Sequence, residues 1–218
     1  MEDTQYSSSQ ETIIIGAGGL AREIENWINL NPDSKSKFKI KGFYLNGIIV
    51  AENSELKSLI VDRIDFSKVS NDNFFIVGIA DCNFKENLWK DAQEYNIKFA
   101  SYFHNTALIG ARTTLGIGVV VLPYSIISCD ANIGNLVFVN NGSQIGHDVF
   151  VGDCTSIMAN VDIGGGAHIG KNVFIGSNAV ILPGVKIPDN TVIGAGSVVI
   201  RSIKQSGSYF GNPAKKIF

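Results

Sequence analysis

The sequence predicts two folded units in series, a small α/β unit followed by an all-β coil. Three observations carry that reading: an apolar residue at every sixth position beyond residue 108, a small residue at a second fixed offset, and a strand, glycine-rich turn and helix near the start. The 218 residues are enough for two small domains, each able to bury a core without disulfide support.

Composition narrows the classes further. With 17% charged residues and a formal net charge of -2, the chain matches neither a disordered segment nor a nucleic-acid binder. Cys82, Cys129 and Cys154 fit neither a zinc spacing nor a disulfide framework, so they read as thiols in a reducing compartment and no metal is expected. Residues 1–10 are polar and expected to be flexible. No apolar segment near them has signal-peptide or membrane-spanning length, which predicts a soluble cytoplasmic protein.

The α/β unit is expected over 11–102. Thr12 to Ile15 is a short β-branched run, followed by Gly16-Ala17-Gly18-Gly19-Leu20-Ala21 and then by Ile24, Trp27 and Ile28 at helical spacing. This strand, turn and helix fits the G-x-G-x-x-G/A phosphate fingerprint, in which backbone amides at the helix N-terminus meet an anion. A plain tight turn explains the same glycines equally well. Further strands are expected at 39–44, 74–79 and 97–100, with a helix at 84–95. A dinucleotide site needs an acidic residue at the end of the second strand and a sheet of two full halves. Here that strand ends in Tyr44-Leu45-Asn46 and the length leaves room for one half, which favours a mononucleotide or nucleotide sugar over a nicotinamide cofactor.

The coil is expected over 103–202, with 203–218 as a tail. Every sixth residue from Ile109 to Val199 is Ile, Leu or Val, sixteen in succession, and the residue two places before each is Ala, Ser, Thr or Val. A helix cannot keep a period of six on one face. Short strands can, with the bulky and the small residue pointing inward and a corner glycine such as Gly110, Gly146 or Gly164 often following.

A small Rossmann-like domain carrying Ile15-Gly16-Ala17-Gly18-Gly19, joined to a repeat coil carrying Gly146-His147-Asp148, resembles the sialic acid O-acetyltransferase (NeuD-like) family of hexapeptide-repeat acyltransferases. The PglD-like enzymes that N-acetylate nucleotide-linked 4-amino sugars are the most similar branch. The resemblance implies a left-handed parallel β-helix with coils of 18 residues, a homotrimer, and acetyl-CoA as co-substrate. It implies that His147 is the general base, that Asp148 supports it, and that Gly165, one coil later, donates its N–H to the oxyanion. Ser156, Gly165, Ser177 and Ala195 match the acetyl-CoA groove, although Ser156 stands where the family tends to carry histidine. Gly18, Gly19, Leu20, Leu45, Asn46 and Ala80 match the nucleotide-sugar site, with UDP and dTDP both open. His104 and His168 are expected to be structural and solvated respectively. Two alternatives stay open: O-acetylation of a sugar hydroxyl such as that of a sialic acid, and a non-catalytic binding scaffold.

Overall fold

A computed structural model describes residues 10–44, 60–61 and 72–218. The chain divides into two compact units, one taking residues up to Ile79 together with Ala92–Ala100, the other Ala80–Asp91 together with Ser101–Phe218. No helix among the described residues is long and apolar enough to cross a membrane.

The first unit holds β1 (Gln10–Ile15), α1 (Gly19–Leu30), α2 (Pro32–Lys37), β2 (Phe38–Tyr44), β3 (Ile60–Val61), β4 (Phe74–Val77) and β5 (Lys98–Phe99), whereas α3 (Cys82–Tyr95) belongs to the second up to Asp91. The five strands are parallel in the order β3-β2-β1-β4-β5. Ile13, Ile14 and Ile15 are buried in the central strand, as an unbroken apolar run in a sheet covered on both faces requires. Helix α1 buries Ala21, Ile24 and Ile28, one stripe at helical spacing. The sequence pattern missed α2, whose residues are polar and carry no apolar period. Its marks are end signals instead, Pro32 at the first position and Asn31 Oδ1 accepting from the Asp33 N–H at 3.1 Å. The expectation of a single half-sheet is corrected as well. Strand order reverses between β1 and β4, β5 lies within the strand expected at 97–100, and β3 was too short to leave a sequence signal.

The second unit is a parallel β-helix, its coils built of two-residue strands except for Thr191–Ile193, with three sheets of six, five and eight strands once the two strands of the tail are included. Each strand pairs with the one 18 residues on, as Ile126–Ile127 with Gln144–Ile145 and Asn132–Ile133 with Phe150–Val151. The inward positions from Val121 to Val199 form a single apolar core, whereas Ile109 and Leu115 in the first coil stay partly open because no coil covers them on one side. Small polar residues at the second inward position are satisfied by carbonyls 15 residues later, as in Ser143 Oγ to Met158 O (2.7 Å) and Thr155 Oγ1 to Gly170 O (2.8 Å).

The corners differ from the sequence expectation. Gly146 does not supply an unusual dihedral. A Cβ there would stand 2.6 Å from the backbone nitrogen of Gly165, so glycine permits the close approach of successive coils. The left-handed residue of each corner comes two places later, at Arg112, Asp130, Asp148, Asn160, Asn172, Asn178 and Asn190 among others, with φ near 60°. That explains the many Asn and Asp residues there. Asn178→Gly should leave stability nearly unchanged and Asn178→Ala should lower it by about 1 kcal/mol, read from urea midpoints. Beyond the last coil, Gly207–Phe210 joins the sheet beside Thr191–Ile193, and Lys215–Lys216 folds back antiparallel on it.

Residues 80–91, assigned by sequence to the first domain, pack with the coil. Asp81 Oδ1 caps the start of α3 by accepting from the Phe84 N–H at 2.7 Å. One turn on, Lys85 is only 1% exposed, and its ammonium donates to the carbonyls of Leu136 (2.9 Å) and Thr155 (3.0 Å). Burial pushes Lys85 down to about 8 and the neighbouring Cys154 thiol up to about 11.

Candidate active site

His147 lies at the corner between the strands Gln144–Ile145 and Phe150–Val151, with its side chain 66% exposed. Its Nδ1 lies 2.7 Å from Asp148 Oδ2. A carboxylate only accepts, so this bond selects the neutral tautomer protonated on Nδ1 and leaves the Nε2 lone pair free. Asp148 can make this contact because its left-handed backbone (φ 59) turns its carboxylate back along the corner.

Gly165 lies one coil later, directly beside the ring. A Cβ at this position would stand 2.6 Å from His147 Nε2, so the flat face of the imidazole rests where any other residue would carry a side chain. The N–H of Gly165 has no acceptor among the described residues. At equivalent corner positions, the N–H groups of Asn135 and Lys171 are taken by Asp153 Oδ1 and Asp189 Oδ1, both at 2.8 Å. Glycine and proline in the His147 column remove such caps. The result is a free backbone donor beside a free base.

The other expected groove residues fall elsewhere. Ser177 is half-buried and Ala195 is exposed, both at the corner that precedes the strands Val180–Ile181 and Val198–Val199. They therefore sit on the opposite edge of the face that His147 and Gly165 border. Ser156 is fully buried, and its hydroxyl donates to the carbonyl of Ala80 at 2.7 Å. Two residues expected at different ligands thus bond to each other. A cavity of about 500 Å3 opens here, with Ala80, Asp81 and Asn83 on one side and Asn172, Phe174 and Asn190 on the other.

In the sheet unit, Gly18 and Gly19 are exposed at the start of α1 with open space around them, and Leu20 is half-buried. The strained glycine of that turn is Gly16, where φ is +102° and a Cβ would meet Ile79 at 2.8 Å. Leu45 and Asn46 lie outside the described residues, as does the stretch 1–9. His168 is exposed, its ring stacked on Phe150 at 4.5 Å. His104 Nδ1 lies 2.8 Å from Thr106 Oγ1, and partial burial lowers its proton affinity. Among the described residues no cluster of His, Cys, Asp and Glu could hold a metal ion.

Sequence reading missed the pair beneath Asp148. Arg112 Nε and Nη2 donate to Asp130 Oδ1 (2.6 Å) and Oδ2 (2.7 Å), and this ion pair holds the Asp130 carboxyl below the usual range. The signal was available, since 112, 130 and 148 differ by one coil each.

Residues 148–181 and 166–201 match the bacterial transferase hexapeptide family (six repeats). No curated protein matches the chain. Among solved structures, the acetyltransferase domain of PglB from Neisseria gonorrhoeae superposes with a TM-score of 0.86 at 19% identity, over 96% of this chain and 100% of that one. A mutant of perosamine N-acetyltransferase from Caulobacter crescentus, in complex with CoA and GDP-perosamine, superposes with a TM-score of 0.80 at 25% identity over 94% and 95%. WeeI from Acinetobacter baumannii gives 0.65 at 21% identity over 95% and 99%. The chain thus carries the bacterial transferase hexapeptide repeat over 148–201, on a fold shared from end to end with hexapeptide-repeat acetyltransferases.

Proposed function

We propose that this protein is an acyltransferase that moves the acetyl group of acetyl-CoA to the amino group of a nucleotide-linked 4-amino sugar, with His147 as general base. The observation that carries the reading is the free Nε2 of an Asp148-bonded imidazole beside the uncapped N–H of Gly165. That pairing of base and donor is what attack on a thioester requires. Nε2 takes the proton as the amine nitrogen bonds to the acetyl carbon, and the Gly165 N–H receives the developing oxyanion. The C–S bond then breaks, and the imidazolium returns its proton to the departing thiolate. Asp148 stabilises that imidazolium while it exists. The likeness to perosamine N-acetyltransferase, bound to CoA and a nucleotide-linked sugar in its own structure, supports both co-substrates.

Gly165, Ser177 and Ala195 remain the proposed acetyl-CoA contacts, the open first turn of α1 at Gly18, Gly19 and Leu20 the proposed phosphate contact, and Ala80 a further proposed nucleotide-sugar contact. Because Ser177 and Ala195 lie across a face from His147, a groove using all of them draws on two copies of the chain. A homotrimer supplies that arrangement. Leu108 (63% exposed), Ile126 (39%) and Tyr124 (73%) on and beside this face support its burial by a second copy.

The test is thiol release from acetyl-CoA with UDP-, dTDP- and GDP-linked 4-amino sugars, their hydroxyl analogues and free sialic acid. Release with one or more amino sugars is expected. Release only with hydroxyl acceptors would replace the reading by O-acetylation, and none with any acceptor would reduce the coil to a scaffold.

A further inference from the structure

The corner that carries His147 also carries a column of charge. Arg112, Asp130 and Asp148 occupy the same left-handed position in three successive coils, with φ 59, 60 and 59. Their corners are joined by backbone bonds, Asp130 N to Ala111 O at 3.0 Å and Asp148 N to Cys129 O at 3.3 Å, so the side chains stack at the coil spacing of about 5 Å. Two carboxylates therefore share the column beside one imidazole. Asp148 is hydrogen-bonded to it, and Asp130 stands one coil below Asp148.

Most of the other neighbours are neutral. The coil above presents Gly165 and Gly166, then Pro183 and Gly184. On the flanking strands the exposed Asp162 is the ladder neighbour of Gln144, a carboxylate common to wild type and every variant below, and His168 is stacked on Phe150. Cys129 precedes His147 by one coil in its own column, and its side chain interacts with the Asp130 carboxylate. Arg112 is the cation beside this group, and both arms of its fork are engaged by Asp130.

We propose that Arg112 is a positioning residue for His147: by gripping Asp130 at both oxygens it turns that carboxylate down the column and neutralises it, leaving Asp148 as the one anionic partner of the imidazole. This inference rests on the proposed role of His147 as base. A base must be neutral before attack, and a second uncompensated anion would hold it in the charged form. A planar guanidinium fork suits the task, because it fixes direction as well as charge.

Two halves of one ion pair should then act on the imidazole with opposite signs. With only three histidines in the chain, the His147 ring proton can be followed by NMR in substrate-free protein after assignment with His104→Gln and His168→Gln. Relative to wild type, Arg112→Gln is expected to raise the titration midpoint of His147 by about half a unit, and Asp130→Asn to lower it by a similar amount. Arg112→Lys should fall between wild type and Arg112→Gln, the double variant should return near wild type, and all differences should shrink in 1 M salt. The acid limb of the kcat/KM profile should move in the same directions. Shifts of the same sign from both single variants, or none from either, would overturn the inference, because loss of a purely structural pair acts alike from both sides. Since the titration needs no substrate, it decides the role of Arg112 even if no acceptor releases thiol. A His147-dependent activity with unshifted midpoints would leave the proposed function standing without it.

Discussion

His147→Ala is expected to lower kcat about a thousandfold, the usual scale for removing a positioned general base, with little change in the thermal midpoint. The second half follows from burial: the side chain is 66% exposed and contributes nothing to the apolar core. Gly165→Ala probes the same geometry from the facing coil. Its methyl would enter the space of His147 Nε2, and the atoms it meets are those of a movable side chain rather than backbone. The coil can keep its form while the ring swings away. Turnover should fall about a hundredfold although base, carboxylate and backbone N–H are all still present. Steady-state kinetics beside circular dichroism checks both variants, and wild-type turnover in either protein would remove His147 from the mechanism.

The second large effect concerns stability. Lys85 is buried with no carboxylate against it, held by two carbonyls alone. Its folded value of about 8 lies below the 10.5 of a free lysine. Between those values the unfolded chain binds the proton and the folded chain does not, so the folded state gains as pH rises through this window. The full difference is roughly 3 kcal/mol of stability, absent below pH 8 and complete above 10.5. The buried thiols act in the opposite sense. Cys82 and Cys154 are pushed up by burial, so they weaken the fold once the unfolded thiols ionise near pH 9. Wild-type stability should therefore rise from pH 7.5 to 9 and then level off. Lys85→Met removes the buried charge but leaves the Leu136 carbonyl without its donor, at a cost of about 1–2 kcal/mol. A net gain of about 1–2 kcal/mol at pH 7 remains, shrinking as pH approaches 9. Urea melts of both proteins across this range decide the matter, and parallel pH dependences would show that Lys85 does not carry it.

Much of the coil was legible because its signal is local and repeated. Ile127, Ile133 and Val139 announce an inward row by spacing alone, and the structure buries each of them. The pairing of His147 with Asp148 was also within reach, since neighbours in sequence share a corner. What escaped depends on contacts between distant segments. Nothing near Lys85 in sequence distinguishes it from a surface lysine on a helix. Its burial is decided by backbone carbonyls 51 and 70 residues away. Ser156 occupies an outward position and reads as solvent-facing, yet the Ala80 carbonyl covers it. Corner glycines were visible but their purpose was misjudged. The pattern of Gly146 cannot say whether a dihedral or a close approach demands the missing side chain, and only the Gly165 backbone beside it answers that.

The docking of α3 also bears on how the chain is made. A ribosome releases Lys85 well before Leu136 and Thr155, and Cys82 before Val173, whose carbonyl it meets 91 residues later. The amphipathic start of this helix must therefore wait, hydrated, while the first coils are synthesised and stacked. A nascent chain arrested before residue 136 should leave position 85 open to amine-reactive reagents, and the released full-length chain should close it.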